Sequence, residues 1–303
     1  MRPVARGAAP SGDPVGVPFG ALGLVLGGIV SVQFGAAIAV TVFDRVGPAG
    51  AVTLRLVGAA LILGLLVRPR LRGRSRRDIA VVVAFGLTLA AMNYSFYEAL
   101  VRLPLGAAVA IEFLGPLTLA VVLSRRIVEV LWVMLAGGGI LLLGEGELSG
   151  LGPVGVLLAM TAGAFWAAYI LLSGATGRRW AGLDGLAAAS IVAGLAVLPL
   201  GLLGAGTAML DRDVLLVGLG VALLSSVVPY GFELMALRRL SARTFGVLLS
   251  LEPAAAALAG LLVLDQLLAP AQIAGITLVA AASAGATLGA RRRLPPEIGR
   301  AHV

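Results

Sequence analysis

The sequence predicts an all-α integral membrane protein of ten transmembrane helices, arranged as two inverted five-helix repeats with both termini cytoplasmic. Three observations carry that prediction. Of 303 residues, 59% are hydrophobic and 13% charged, and the mean hydropathy is +1.04, which is more apolar surface than a soluble core absorbs. Arginines cluster in alternate connections between apolar runs, and short sequence matches recur at a fixed spacing.

A crossing takes roughly 20 apolar residues, and the runs can be taken in order. Residues 1–17, rich in Pro and Gly and carrying Arg2 and Arg6, read as a disordered cytoplasmic tail. The first span, 18–43, contains Ala37-Ile38-Ala39, which imitates a leader cleavage site. The run is too long for a leader core, so an uncleaved span is expected. The second, 49–67, holds Arg55; the third, 79–99, holds Asn93 and Tyr94; the fourth, 105–123, is interrupted by Pro116. The fifth, 128–144, closes a first repeat over 18–145. The second repeat, 153–290, contains 153–173, 183–205, 214–236, 244–264 with Pro253, and 270–289. Residues 291–303 form a basic cytoplasmic tail.

Orientation follows from charge. The chain has no Lys, and 19 of its 23 Arg fall at the termini or in alternate loops, among them Arg68 to Arg77, Arg178 and Arg179. The other loops hold Arg45, Arg102 and Arg212 beside Asp44, Glu145, Glu147, Asp211, Asp213 and Asp265. Excess arginine marks the cytoplasmic side, and an even number of spans returns the C-terminus to it.

Setting Ala99-Leu100-Val101-Arg102-Leu103 beside Ala236-Leu237-Arg238-Arg239-Leu240 brings Pro116 onto Pro253 at an offset of 137. Tyr94-Ser95-Phe96 meets Tyr230-Gly231-Phe232 after a one-residue slip. Five spans per half is an odd number, so the halves must oppose each other in the membrane. Inverted repeats of this kind are the usual frame of secondary transporters, with the site near the midplane between the halves.

Met92-Asn93-Tyr94-Ser95-Phe96-Tyr97, Leu103-Pro104-Leu105-Gly106 and Ala110-Ile111-Glu112-Phe113-Leu114-Gly115-Pro116 carry a more specific signal. So do Pro229-Tyr230-Gly231-Phe232-Glu233, Arg243-Thr244-Phe245-Gly246 and Leu251-Glu252-Pro253-Ala254 in the second half. In these motifs, from about residue 20 to 290, the chain resembles the EamA-type drug/metabolite transporter superfamily. The resemblance implies efflux of small hydrophilic amino acids, threonine and homoserine being the type, by alternating access in exchange for protons across the bacterial inner membrane. Glu98 departs from the pattern, which expects an apolar or small residue there.

A charge at a helix centre costs roughly 2.5–3.5 kcal/mol on insertion scales and needs a partner or water. Glu112 lies four residues before Pro116, whose ring frees the carbonyl of residue 112, so a carboxylate beside a broken turn is a candidate proton or ammonium site. Glu252 precedes Pro253 and superposes by the offset on Gly115, about 60° around a helix from Glu112. Both carboxylates therefore point to one central cavity, with a structural hydrogen-bonded pair as the alternative. Glu233 is a gating candidate or a salt-bridge partner of Arg238 and Arg239. Arg55 is suited to a substrate carboxylate, or to snorkelling to the interface. Gln33, Asn93 and Tyr94, with Tyr230 as repeat counterpart, add neutral hydrogen-bonding groups, as does Ser31; each is equally suited to joining helices. Trp166 and Tyr169 are candidates for a cavity wall or for packing. Glu98 and Arg102, spaced i to i+4, are expected to pair locally.

Composition also excludes chemistry. The sole histidine, His302, sits in the tail and there is no Cys, so no His- or Cys-based metal site or catalytic triad is expected within the membrane. Without Lys there is no Walker-type phosphate loop. An enzyme, a cofactor and a nucleic-acid ligand are not expected. The expected partners are a small-molecule substrate, protons and the bilayer, and a monomer is compatible with the sequence. The alternatives left open are a carrier of another metabolite or cationic drug and, in a different class, a membrane scaffold or receptor.

Overall fold

The computed structural model describes residues 19–124, 127–143, 152–237, 239–240 and 242–289. The predicted tails, 1–17 and 291–303, lie outside the described residues. Among these residues every regular element is helical. Eight helical segments are long and apolar enough to cross a membrane, and the runs predicted at 105–123 and 128–144 are met by shorter apolar stretches, Leu105–Ala120 and Val130–Leu143.

The helices begin and end where local chemistry dictates. After α1 (Phe19–Val40), α2 (Phe43–Val67) starts earlier than the apolar run and breaks at Gly47, whose φ of 64° lies in the left-handed region that glycine tolerates, just before Pro48. The Ser75 hydroxyl accepts from the Asp78 backbone N–H at 3.2 Å and the Asp78 carboxylate accepts from the Ser75 N–H at 3.2 Å, a reciprocal cap that opens α3 (Arg76–Leu100). The fourth run splits into α4 (Leu105–Glu112) and α5 (Leu114–Ser124) around Phe113, three residues before Pro116. Then come α6 (Ile127–Leu143), α7 (Pro153–Gly177), α8 (Asp184–Ala205) and α9 (Arg212–Ala222). A π-helical turn, Leu223–Val227, joins α9 to α10 (Val228–Leu237). The ninth run splits into α11 (Ala242–Leu249) and α12 (Glu252–Leu264), with Pro253 in the first turn of α12, and α13 (Pro270–Gly289) ends the described chain. The spans of α4 and α11 differ by 137 residues at both ends, the same offset that aligns the two prolines.

Burial is inverted relative to a soluble domain. Large aliphatic side chains such as Leu65, Leu203 and Leu262 are exposed on outer faces, whereas much of the interior is alanine and glycine, including Ala37, Ala108, Ala162 and Ala259. Lipid is as apolar as leucine, so it gives large side chains no reason to turn inward; helices associate instead through small residues that let backbones approach. Gly139 of α6 and Gly275 of α13 illustrate this, since a Cβ on either would run into the other's carbonyl oxygen.

Pairings between helices recur with the halves exchanged. Helix α2 packs on α8 and α6 on α13; α3 against α7 is matched by α10 against α1, and α3 against α8 by α9 against α2. The connections at each end pair across as well. Arg179, after α7, meets Asp78 in the first turn of α3 at 3.0 Å, and Arg45, in the first turn of α2, meets Asp211, just before α9, at 2.8 Å.

Candidate functional site

A cavity of about 200 Å³ lies at the centre of the helices, many times the roughly 10–15 Å³ that one water needs on the same measure. Its wall draws Gln33 from α1, Arg55 from α2, Asn93 and Phe96 from α3, Glu112 from α4, and Trp166 and Tyr169 from α7. Ser225 of the π turn, Pro229 and Glu233 of α10, Leu249 of α11 and Glu252 of α12 also line it.

The broken helices set the acidic side. The break at Phe113 puts Glu112 in the last turn of α4, while the break at Ser250 and Leu251 puts Glu252 at the first residue of α12. Helix α5 carries Gly115, and a Cβ there would strike the backbone of Gly163 on α7, so α4 and α5 are drawn tightly onto α7. The amide of Gln33 donates to the Glu252 carboxylate at 3.4 Å, across 219 residues of sequence.

The basic side is one residue, and its surroundings follow from a proline. In a regular helix the carbonyl of Ser225 would accept from the N–H of residue 229, but Pro229 has none. The carbonyl accepts instead from Arg55 Nη2 at 3.3 Å, and Arg55 Nη1 reaches the Tyr97 hydroxyl at 3.5 Å, with the guanidinium carbon 5.7 Å from that ring's centroid. The π turn works similarly. Val228 bonds back to Leu223, which leaves the Leu224 carbonyl to accept from the Ser31 hydroxyl at 2.6 Å. Such turns are frequent at functional sites. Arg55 Nε and Ser225 Oγ are buried without a hydrogen-bond partner, and among the described residues no carboxylate lies within ion-pair distance of Arg55.

Of the residues singled out in the sequence, Gln33, Arg55, Asn93, Glu112, Trp166, Tyr169, Glu233 and Glu252 therefore share one cavity. The Asn93 amide donates to the Leu89 carbonyl at 2.9 Å, and Trp166 packs edge-on against Phe113 with centroids 4.8 Å apart. Tyr94 packs against the hydrophobic core and is not part of the cavity wall. The Tyr230 side chain lies outside the described residues. Glu233 makes no ion pair among the described residues, and Arg238 lies outside them. Glu98 and Arg102 pair at 3.1 Å, as their spacing implies. Tyr97 and Pro229 stand in the sequence motifs without being site candidates there, and Ser225 is in neither group. The signal for Ser225 was present, since Pro229 stands to it as Pro116 stands to Glu112.

A family model described as the EamA-like transporter family matches residues 153–288. Two relatives, each described as threonine/homoserine exporter RhtA, come from Salmonella typhimurium (strain SL1344) and Escherichia coli (strain K12). They are 41% identical over 280 and 273 residues, alignments that take in 90% and 89% of this chain and 92% of each relative. One solved crystal structure, described only as that of a protein, superposes with a TM-score of 0.59 at 19% identity, covering 89% of this chain and 98% of the other. That likeness concerns the fold alone.

Proposed function

The chain belongs to the EamA-like transporter family, and on that premise we propose that it exports small polar amino acids of the threonine and homoserine type by alternating access, in exchange for protons. The observation that carries the substrate reading is the polarity of the central cavity: a single guanidinium with no carboxylate partner among the described residues shares it with the carboxylates of Glu112, Glu233 and Glu252. An α-amino acid presents the complementary pair. Its carboxylate takes the fork of Arg55, and its ammonium takes Glu252 or Glu112, with Gln33 and Asn93 beside them. Protons moving inward through the same two carboxylates would drive the exchange.

The moving parts are two inverted repeats, 18–145 and 153–290, forming ten spans in the bacterial cytoplasmic membrane. The exchange-symmetric helix pairings and the shared 137-residue offset support this reading, and arginine-rich alternate connections support cytoplasmic termini. A cavity between repeats is where a rocking carrier holds its substrate. A second reading, a cationic metabolite or drug, is favoured by one specific feature, the excess of carboxylates over guanidinium in the cavity.

Purified protein in proteoliposomes, challenged with a panel of amino acids and organic cations, separates the readings. Threonine and homoserine are expected to move saturably and to be driven by a proton gradient. Flux of cations alone would replace the substrate assignment, and no flux of any solute would favour a scaffold or receptor.

A further inference from the structure

Glu233 sits inside the protein and is only partly buried, yet among the described residues it makes no ion pair and no hydrogen bond. A carboxylate at that depth needs a partner or water. Its position supplies the second, because Glu233 lines the central cavity and two others. One, of about 210 Å³, runs along α3 and α7 past Phe85 and Tyr169 to Trp180, in the arginine-rich connection before α8. The other, of about 70 Å³, lies between α1, α10 and α11 and has Glu252 in its wall as well.

The small cavity suits water and not an amino acid. On the same measure one water needs roughly 10–15 Å³ and two to four polar partners, so there is room for a few. Apart from the two carboxylates its wall is apolar, with Ile29 and Val32 from α1 and Phe245 and Leu249 from α11, and it offers no side-chain donor to a substrate carboxylate. Gly28 lines it too, and a Cβ there would meet Phe232 and Pro229 only at 3.8 and 3.9 Å. Gln33 donates to Oε2 of Glu252 at 3.4 Å, which leaves Oε1 without a protein partner among the described residues. The ionisable groups that share a cavity wall with Glu233 are Glu252, Arg55, Glu112 and Tyr169. Helix α1 brings none to the small cavity, Arg239 past the end of α10 is exposed, and the side chains of Arg238 and Arg243 lie outside the described residues.

We infer that Glu233 is the proton-release group of the exchange, reached from Glu252 through water in the small cavity. The inference rests on the proton-exchange reading. The Glu252 carboxylic acid gives its proton to that water, and the water passes one to the Glu233 carboxylate. Glu252 is left as a carboxylate, free to take an ammonium, and Glu233 returns the proton to water of the second cavity, toward the arginine-rich end. Protons and amino acid therefore meet at Glu252 and part there, the substrate staying in the central cavity.

The test uses the full chain in proteoliposomes loaded with a pH-sensitive dye, so that threonine-driven proton movement and labelled-threonine counterflow are read on one preparation. Gly28→Val fills the small cavity from a position outside the central wall. It should cut proton movement about fivefold or more and leave counterflow within about twofold. Gly28→Ala, whose methyl meets only ordinary contacts, should fold and show a smaller drop of the same kind. Glu233→Gln should lose proton movement about tenfold more than it loses counterflow, and Glu233→Asp should restore part of it, which a merely structural carboxylate would not do. Proton movement at the unaltered rate in both Gly28 variants, or in Glu233→Gln, overturns the relay while exchange through Glu112 and Glu252 stands. Counterflow falling in step with proton movement in Glu233→Gln makes Glu233 a substrate residue and overturns it as well. If threonine moves no protons in the unaltered protein, the exchange reading falls and the relay with it.

Discussion

Arg55 and Ser225 lie 170 residues apart in sequence and meet at 3.3 Å, the guanidinium donating to a backbone carbonyl that Pro229 leaves without a helical donor. The proline thereby holds in one orientation the only arginine that the described residues bring to the cavity wall. Lysine cannot reproduce a planar fork, so Arg55→Lys should raise the KM for threonine by tenfold or more, corresponding to about 1.4 kcal/mol. Pro229→Ala returns the Ser225 carbonyl to a helical donor and should raise the KM in the same direction. A KM unchanged in both, measured by proteoliposome flux, would remove Arg55 from the substrate site.

Gln33 holds Glu252 with a hydrogen bond that a glutamine at 252 can also accept. Glu252→Gln is therefore expected to fold and to keep threonine counterflow while losing the stimulation of flux by a pH gradient. Glu112→Gln is the parallel case. Gradient dependence retained in both variants would eliminate proton exchange through these carboxylates.

Gly115 touches the backbone of Gly163, and Gly139 that of Gly275, with no room for a methyl group. Gly115→Ala and Gly275→Ala should each destabilise the protein by about 1–3 kcal/mol through overpacking, visible as a lower thermal unfolding midpoint in detergent. Gly220→Ala, where a Cβ meets nothing within 4 Å, is the control and should leave the midpoint in place.

The Arg45–Asp211 pair is short at 2.8 Å, but its side chains are 46% and 54% exposed. Exposed pairs contribute about 0–1 kcal/mol. A double-mutant cycle of Arg45→Ala and Asp211→Ala should give a coupling in unfolding free energy below about 1 kcal/mol that shrinks further in high salt. A coupling of several kcal/mol would show that the pair is shielded from water in the membrane-embedded protein.

The helix breaks were legible because their cause is local: Pro116 and Pro253 each lie within a few residues of the end of a half-helix. Glu112, Glu233, Glu252 and Arg55 were legible because a charge in an apolar run is costly and needs a use. Tyr94 and Tyr97 were not separable by such reasoning. Three residues apart on one helix, they differ in which neighbour each meets: Tyr97 is fully buried against Arg55 and Phe43, and Tyr94 lies away from the cavity.

The sequence by itself determined that the chain enters a membrane, where its apolar runs and proline breaks lie, and which family it resembles, since hydropathy, charge and motif are properties of short segments. Only the tertiary structure decided that Gln33 reaches Glu252 and that the Ser225 carbonyl takes Arg55. These depend on which helix faces pack together. In a bilayer that choice is made by small residues and backbone approach between distant segments, and no single run of sequence encodes it.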